Sequence, residues 1–243
     1  MKSLRLDQEL VNRSLARSRE EAKRLILAGE VFVSGHVMDK PASKVNNESV
    51  IHVKERPKYV SRGGLKLEAG LNHFGIHVDG CVALDIGSST GGFTDCLLQR
   101  GASKVYAFDV GTNQLAWKIR QDSRVVVREK FNCRNLSIND LEDSPKLIVA
   151  DVSFISLTKL LEPAVSVIEK GGDLVLLIKP QFELQRDQIG KGGVVKDPVL
   201  HQEAVDKINH FATTSAGLES LDVIPSPIKG ATGNTEFLAW YRA

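Results

Sequence analysis

The 243-residue chain has little sulfur and few large aromatic rings besides phenylalanine: three cysteines, two methionines, two tryptophans and three tyrosines. Cys81, Cys96 and Cys133 are odd in number and lack paired metal-ligand spacing, so they read as reduced thiols and no metal site is expected. The six histidines show no ligand spacing either. No apolar run is long enough to span a bilayer, and the start, MKSLRLDQELVNRS, has no apolar stretch of signal-peptide length. A cytoplasmic protein that does not engage a membrane is therefore expected. Hydrophobic residues at 42% and charged ones at 26% exclude a disordered chain, and the length permits a large domain with a small companion. Nothing in the composition bears on oligomeric state.

The net charge of +2 is unevenly divided. Residues 1–60 carry 12 Lys and Arg against 8 Asp and Glu, and the remainder carries 20 against 22. A short basic front on a near-neutral body fits a nucleic-acid module joined to something else, although charge alone fits a solvated helix face equally well. In LARSREEAKRLILAGEVFVSGHVM, Ser18 and Glu21 form a capping-box pattern and Gly29 stands where a helix stops, predicting a helix over 18–28. Ala22, Leu25 and Ile26 recur at helical spacing and face a small core, so the cationic heads of Arg19, Lys23 and Arg24 are expected to stay free. Apolar residues then alternate around Ser34-Gly35, as in a tight hairpin. The segment RLDQELVNRSLARSREEAKRLILAGEVFVSGHVMDKPASKV resembles the alpha-L RNA-binding module of a small-subunit ribosomal protein and several RNA-modifying enzymes. That resemblance implies RNA contacts from Arg5, Arg17, Arg19, Lys23 and Arg24. Such contacts supply affinity and placement but no base identity. The stretch KERPKYVSRGG breaks the pattern with proline, charge and paired glycine. The expected division is a front domain over 1–56, a linker over 57–62 and a large domain over 63–243.

From Cys81 onward, CVALDI, KVYAFDV, RVVVRE, KLIVAD and GDLVLLIK are short Val/Leu/Ile-rich runs, most of them separated by helix-compatible sequence. They predict a doubly wound α/β fold of Rossmann type, its strands buried in a parallel sheet. A helix near 199–215 precedes LESLDVIPSPI and NTEFLAWYRA, two strand candidates expected as a closing antiparallel pair. The stretch VALDIGSSTGGF ends an apolar run in Asp85 and breaks into Gly87, Ser88, Ser89, Thr90, Gly91 and Gly92 before Phe93 resumes helix-like sequence. A strand, a turn and a helix start follow, with glycines that admit a ligand close to the backbone. Asp109, closing the next strand, can hold ribose hydroxyls. S-adenosylmethionine and the nicotinamide dinucleotides both contain adenosine, so these features alone do not separate them. The loop lacks the G-x-G-x-x-G spacing that a pyrophosphate favours.

Four further stretches carry candidate chemistry: SRGGLKL with Lys66, VADVSFISL with Asp151, LLIKPQFE with Lys179 and GATGNTEFLAW with Glu236. Asp151 and Lys179 close neighbouring predicted strands and should face the cofactor crevice. The four stretches resemble those of the FtsJ-like ribose methyltransferases, which use a Lys-Asp-Lys-Glu set. With the front module, the match is to the haemolysin-A-type (TlyA-like) rRNA 2′-O-methyltransferases. The resemblance implies Lys66, Asp151, Lys179 and Glu236 as that set, and S-adenosylmethionine as cofactor over DIGSSTGGFTDCLLQRGASKVYAFDVGTNQLAWK, including Val110 beside Asp109. Ser88 departs from the alanine of many relatives. The implied reaction is methylation of cytidine 2′-hydroxyls, with ribosomal RNA or ribosomal subunits as partner. A ribose hydroxyl needs a positioned base, and neutral Lys179 is the candidate, favoured by burial, the cofactor sulfonium and Lys66 and opposed by the carboxylates; the alternative is that Lys179 and Lys66 orient the hydroxyl and stabilise the developing alkoxide while the carboxylates hold both amines. Asn132, after the third strand, is expected near adenine, and residues 183–198 as a mobile loop over the RNA entrance. A non-catalytic RNA-binding assembly factor of the same fold is the alternative; a nicotinamide-dependent oxidoreductase is disfavoured by the loop spacing.

Overall fold

The computed structural model describes residues 3–54 and 57–243, which divide into units over 1–57 and 58–243. Glu55 and Arg56, within the expected domain break, lie outside the described residues. The front unit runs β1 (Ser3–Arg5), α1 (Leu6–Asn12), α2 (Arg19–Leu27), β2 (Val31–Val33), β3 (His36–Val37), β4 (Lys44–Asn46) and β5 (Ile51–Val53). Strands β3, β2 and β5 form one antiparallel sheet, and β1 pairs with β4. Leu6, Leu10, Ala22, Ile26 and Val31 are buried between helices and strands.

The local signals act as their chemistry requires. The Ser18 hydroxyl accepts the Glu21 amide at 3.2 Å and starts α2. The Glu21 carboxylate accepts the Arg17 amide at 2.9 Å, one residue earlier than in a reciprocal capping box. Ser34 and Gly35 both have positive φ, at 49° and 83°, which is the turn that matches the twist of a two-residue hairpin. The expectation of free cationic heads needs correction for Arg19 and Arg24. Arg19 Nη2 lies 3.0 Å from Asp7 Oδ2 across the helix pair, and Arg24 Nη2 lies 3.7 Å from Glu21 Oε1 because i,i+3 residues are neighbours on a helix.

The large unit contains α3 (Gly63–Phe74), β6 (Val82–Ile86), α4 (Gly92–Gln99), β7 (Lys104–Phe108), α5 (Trp117–Arg120), β8 (Val125–Arg128), β9 (Leu147–Ala150), α6 (Thr158–Val165), β10 (Asp173–Ile178), α7 (Pro180–Glu183), α8 (Pro198–Thr214), β11 (Glu219–Pro225) and β12 (Phe237–Arg242). The seven-stranded sheet has the order β11-β12-β10-β9-β6-β7-β8. Strands β8, β7, β6, β9 and β10 are parallel, while β12 runs antiparallel between β10 and β11. Helices α3 and α4 cover one face and α6 and α8 the other, each over its own apolar cluster. The connection from β6 crosses to β7 on one side while β9 lies on the other, so the carboxyl ends of β6 and β9 frame the crevice of a doubly wound sheet.

The stretch expected as a linker over 57–62 includes Tyr59, which is buried against α3 and α4. The Val60 amide donates to Asp95 Oδ2 at 2.8 Å, tying the segment to α4. Paired glycines permit this: a Cβ on Gly64 would lie 2.3 Å from Tyr59 Cγ, and one on Gly92 only 2.2 Å from Ser61 Oγ. Gly64→Ala should therefore destabilise by about 1–3 kcal/mol through overpacking. Calorimetry should record a melting temperature lower by about 2–4 °C per kcal/mol, and an unchanged transition would mean that Tyr59 yields at no cost.

Candidate active site

The turn after β6 is built around a close approach. Gly87 has φ +82°, and a Cβ there would lie 2.8 Å from the Asp151 carbonyl and 2.9 Å from Val152 Cγ1. Only glycine fits both the backbone angle and the gap. The Gly87 and Ser88 amides donate to the Phe108 carbonyl at 2.8 and 3.1 Å, binding the turn to the end of β7. Asp109, the next residue, accepts the Ser89 amide on Oδ2 and the Gly111 amide on Oδ1, each at 2.7 Å. Its carboxylate is thereby fixed in direction, with lone pairs left for a ligand.

Two cavities meet at this turn, sharing Gly87, Ser89, Asp151, Ser153 and Phe154. The smaller, about 290 Å³, is bounded by Asp109, Val110, Phe131, Asn132 and Cys133. It pairs apolar walls with Asp109, and with Asp151 at the edge shared with the larger cavity; apolar walls beside the Asp109 carboxylate are the combination that an adenine ring and a ribose diol require. Asn132 also caps its own turn, its Oδ1 accepting the Arg134 amide at 3.2 Å. The larger, about 660 Å³, is bounded by Ser88, Thr90, Gly92 and Phe93 on the turn side. Asp85 and Gly91 line neither cavity; Asp85 is fully buried beneath the turn and Gly91 packs toward Leu115.

Lys66, Asp151, Lys179 and Glu236 all line the larger cavity. Asp151 follows β9 and Lys179 follows β10, so the parallel pairing of these strands delivers both side chains to one edge. Lys179 Nζ lies 2.6 Å from Asp151 Oδ1 and donates to Ser153 Oγ at 3.0 Å. Lys66 projects from the buried side of α3 and Glu236 precedes β12; Lys66 Nζ lies 2.5 Å from Glu236 Oε2. Gly230 makes room for that carboxylate, since a Cβ there would come within 2.4 Å of Glu236 Oε1. The result is two amines, each oriented by a carboxylate, facing one space beside the adenosine-sized cavity.

Comparison with known proteins agrees with this geometry. Residues 59–243 match FtsJ-like methyltransferases, and residues 4–51 match the S4 domain. The chain belongs to the FtsJ-like methyltransferase family. It is 46% identical over 241 residues to the 16S/23S rRNA (cytidine-2′-O)-methyltransferase TlyA of Mycobacterium tuberculosis, a match covering 98% of this chain and 89% of that one. Hemolysin A of Brachyspira hyodysenteriae is 44% identical over 243 residues, covering 98% and 99%. The solved structure of a hemolysin candidate from Streptococcus thermophilus is 43% identical with a TM-score of 0.75, covering 100% of this chain and 89% of that chain.

Three residues at this candidate site of the FtsJ-like chain escaped the sequence reading. Ser153 sits two residues after Asp151, inside the motif that marked the acid. Phe154 is 92% exposed at φ +64°, with its ring 5.1 Å from that of Phe182 on the rim of the larger cavity. Asn234 is fully buried: its Oδ1 accepts the Val195 amide, and its Nδ2 donates to the Gly193 carbonyl and to Thr232 Oγ1, all at 2.9 Å. The stretch over 183–198, expected as a mobile cover, is thus anchored at 193–195 while Ile189, Gly192 and Gly193 line the larger cavity. Asn234 stands two residues before Glu236, and its position in GNTE was the available signal.

Asp85 has a stability consequence of its own. Thr94 Oγ1 donates to its Oδ2 at 2.6 Å, and its Oδ1 has no partner among the described residues. Burial pushes its carboxyl up to about 7, against the Thr94 hydroxyl and with help from Asp151 and Asp109. A raised acid favours the fold fully below its unfolded value near 4, and that contribution is lost as pH rises through about 7. Asp85→Asn resembles the protonated form at every pH. Its melting temperature should exceed the parent's by more at pH 8 than at pH 5; a difference that shrinks with rising pH would reject the assignment.

Proposed function

We propose that this chain transfers the methyl group of S-adenosylmethionine to the 2′-hydroxyl of cytidine in ribosomal RNA, with the S4 domain holding structured RNA. The observation that carries the reading is the pair of lysine–carboxylate contacts facing one cavity beside a fixed ribose-binding acid. High identity to a protein named for that reaction supports it. Among the described residues no helix is long and apolar enough to cross a membrane. The cytoplasm, where ribosomal RNA is available, is the compartment this reading implies.

S-adenosylmethionine, when bound, supplies an electrophilic methyl carbon on a sulfonium whose leaving group is a neutral thioether. Asp109 would hold the ribose diol, and the turn from Gly87 to Gly92 would lie against the amino-acid tail. Lys179 takes the proton of the substrate hydroxyl as the oxygen attacks, which requires its amine to be neutral at that moment. Asp151 and Ser153 orient that amine. Lys66, held by Glu236, sets a second cation where negative charge develops on the oxygen. A cation without a proton-accepting amine would satisfy only the electrostatic part of this scheme.

Lys179→Arg separates the two parts, since guanidinium keeps the charge but does not deprotonate. Its single-turnover rate should fall by about 10²–10⁴-fold, with cofactor affinity by calorimetry little changed. A near-parental rate would remove Lys179 as base. The reaction itself is tested by incubating the purified chain with unmodified ribosomal subunits and labelled methyl donor, then mapping ribose methylation by resistance to alkaline cleavage. Label on a base, or none on either subunit, would overturn the proposal.

A further inference from the structure

The front unit contains a buried acid that the methyl-transfer chemistry does not use. Asp7, at the start of α1, is fully buried. Arg5 Nε donates to its Oδ1 at 3.0 Å and Arg5 Nη2 to its Oδ2 at 3.1 Å, while Arg19 Nη2 donates to Oδ2 at 3.0 Å. Three elements meet here: Arg5 ends β1, Asp7 lies in the first turn of α1 and Arg19 opens α2. The two guanidinium groups hold the carboxyl down to about 2. Both arginine side chains remain about half exposed, at 44% and 48%.

A guanidinium has five N–H donors; Arg5 uses two on Asp7 and Arg19 one. Donors remain on both planar groups, whose directions are fixed by a shared carboxylate behind them. Two cations against one anion leave a single positive charge, which one phosphodiester would neutralise. We propose that Asp7 is a positioning residue that locks Arg5 and Arg19 into a two-guanidinium clamp for one RNA phosphate. The proposal rests on the reading that the front unit binds RNA, and it assigns the acid a role opposite in sign to its charge. Electrostatics alone makes a carboxylate beside a phosphate site unfavourable, so its removal should tighten RNA binding. Preorganisation predicts the reverse, because unpaired arginine side chains must be ordered by the RNA itself.

The test uses the full chain and ribosomal RNA transcribed in vitro, with affinity measured by filter binding across a salt series. Asp7→Asn removes the charge and keeps the volume; it should weaken binding by about five- to tenfold, with the slope of log affinity against log salt shallower by about one phosphate contact. Binding that is unchanged or tighter, or a steeper slope, overturns the clamp, and a merely structural role for Asp7 would leave the slope unmoved. If circular dichroism shows Asp7→Asn to be unfolded, Arg19→Lys takes its place, keeping the charge and removing the fork. That variant should also weaken binding by about five- to tenfold, and parental affinity overturns the clamp. Arg5→Ala and Arg19→Ala distinguish the two layers of the argument. If neither affects RNA binding, the RNA-contact reading of these arginines fails; if both weaken it while Asp7→Asn strengthens it, only the positioning role fails.

Discussion

The site depends on two lysine–carboxylate contacts, the buried pair Lys66 with Glu236 and the pair of buried Lys179 with half-buried Asp151. A charge removed from water without its partner costs several kcal/mol, and leaving one member of such a pair uncompensated typically costs about 3–5 kcal/mol. Each amine therefore requires its acid, and each acid requires the element that presents the amine. Lys66 arrives on α3 and Glu236 ahead of β12, so the α3 face and the antiparallel closing strand are coupled by charge as well as by apolar packing. Asp151 and Lys179 come from neighbouring parallel strands, whose pairing sets their separation. The same contacts that make the arrangement affordable in a buried crevice aim both amines at one space.

Close backbone approach is the second constraint. The turn at Gly87 passes against the Asp151 carbonyl, so the loop that faces the cofactor crevice and the strand end that bears a charged side chain touch directly. Gly92 and Gly64 do the same where α4 and α3 meet the segment around Tyr59, and Gly230 leaves the space that Glu236 occupies. Asn234 then fastens the stretch around Gly193 to the segment leading to Glu236. The walls of the larger cavity are thus held by hydrogen bonds and steric fit, with Phe93, Phe154, Phe182 and Ile189 among its apolar lining.

In the front unit, the net charge is organised rather than diffuse. Of the five cations expected to meet RNA, Arg5, Arg19 and Arg24 have acidic partners, and all five are exposed. Pairing with a fully buried acid directs a guanidinium, whereas a longer contact from an exposed arginine, such as Arg24 with the half-buried Glu21 at 3.7 Å, contributes little. This distinction separates Asp7, and Glu9 with its Arg13 contact at 2.7 Å, from Glu20 and Glu21 of α2, and it could not be drawn from net charge.

Much of the fold was legible because its signals are local. The Ser18 cap, the Ser34-Gly35 turn, the Val-rich strands and the glycine turn after Asp85 each follow from the chemistry of a few adjacent residues, and Asp151 and Lys179 could be marked because each closes a strand, whereas Lys66 and Glu236 were implied only by the resemblance to FtsJ-like ribose methyltransferases. Tyr59 falls in the stretch expected as a linker because its burial against α3 and α4, with Gly64 leaving room for its ring, is set by packing and not by any adjacent pattern. Ser153 and Asn234 were missed although they lie inside quoted motifs, because a neutral serine or asparagine beside a charged residue does not by itself mark a contact. By itself the sequence determined the type and order of the elements and the presence of two amines and two acids, since periodicity and turn chemistry act within a few residues. Which amine meets which acid, and that Arg5 and Arg19 share Asp7, only the tertiary structure decided: Lys66 and Glu236 are 170 residues apart, and contact at that separation is set by packing rather than by pattern.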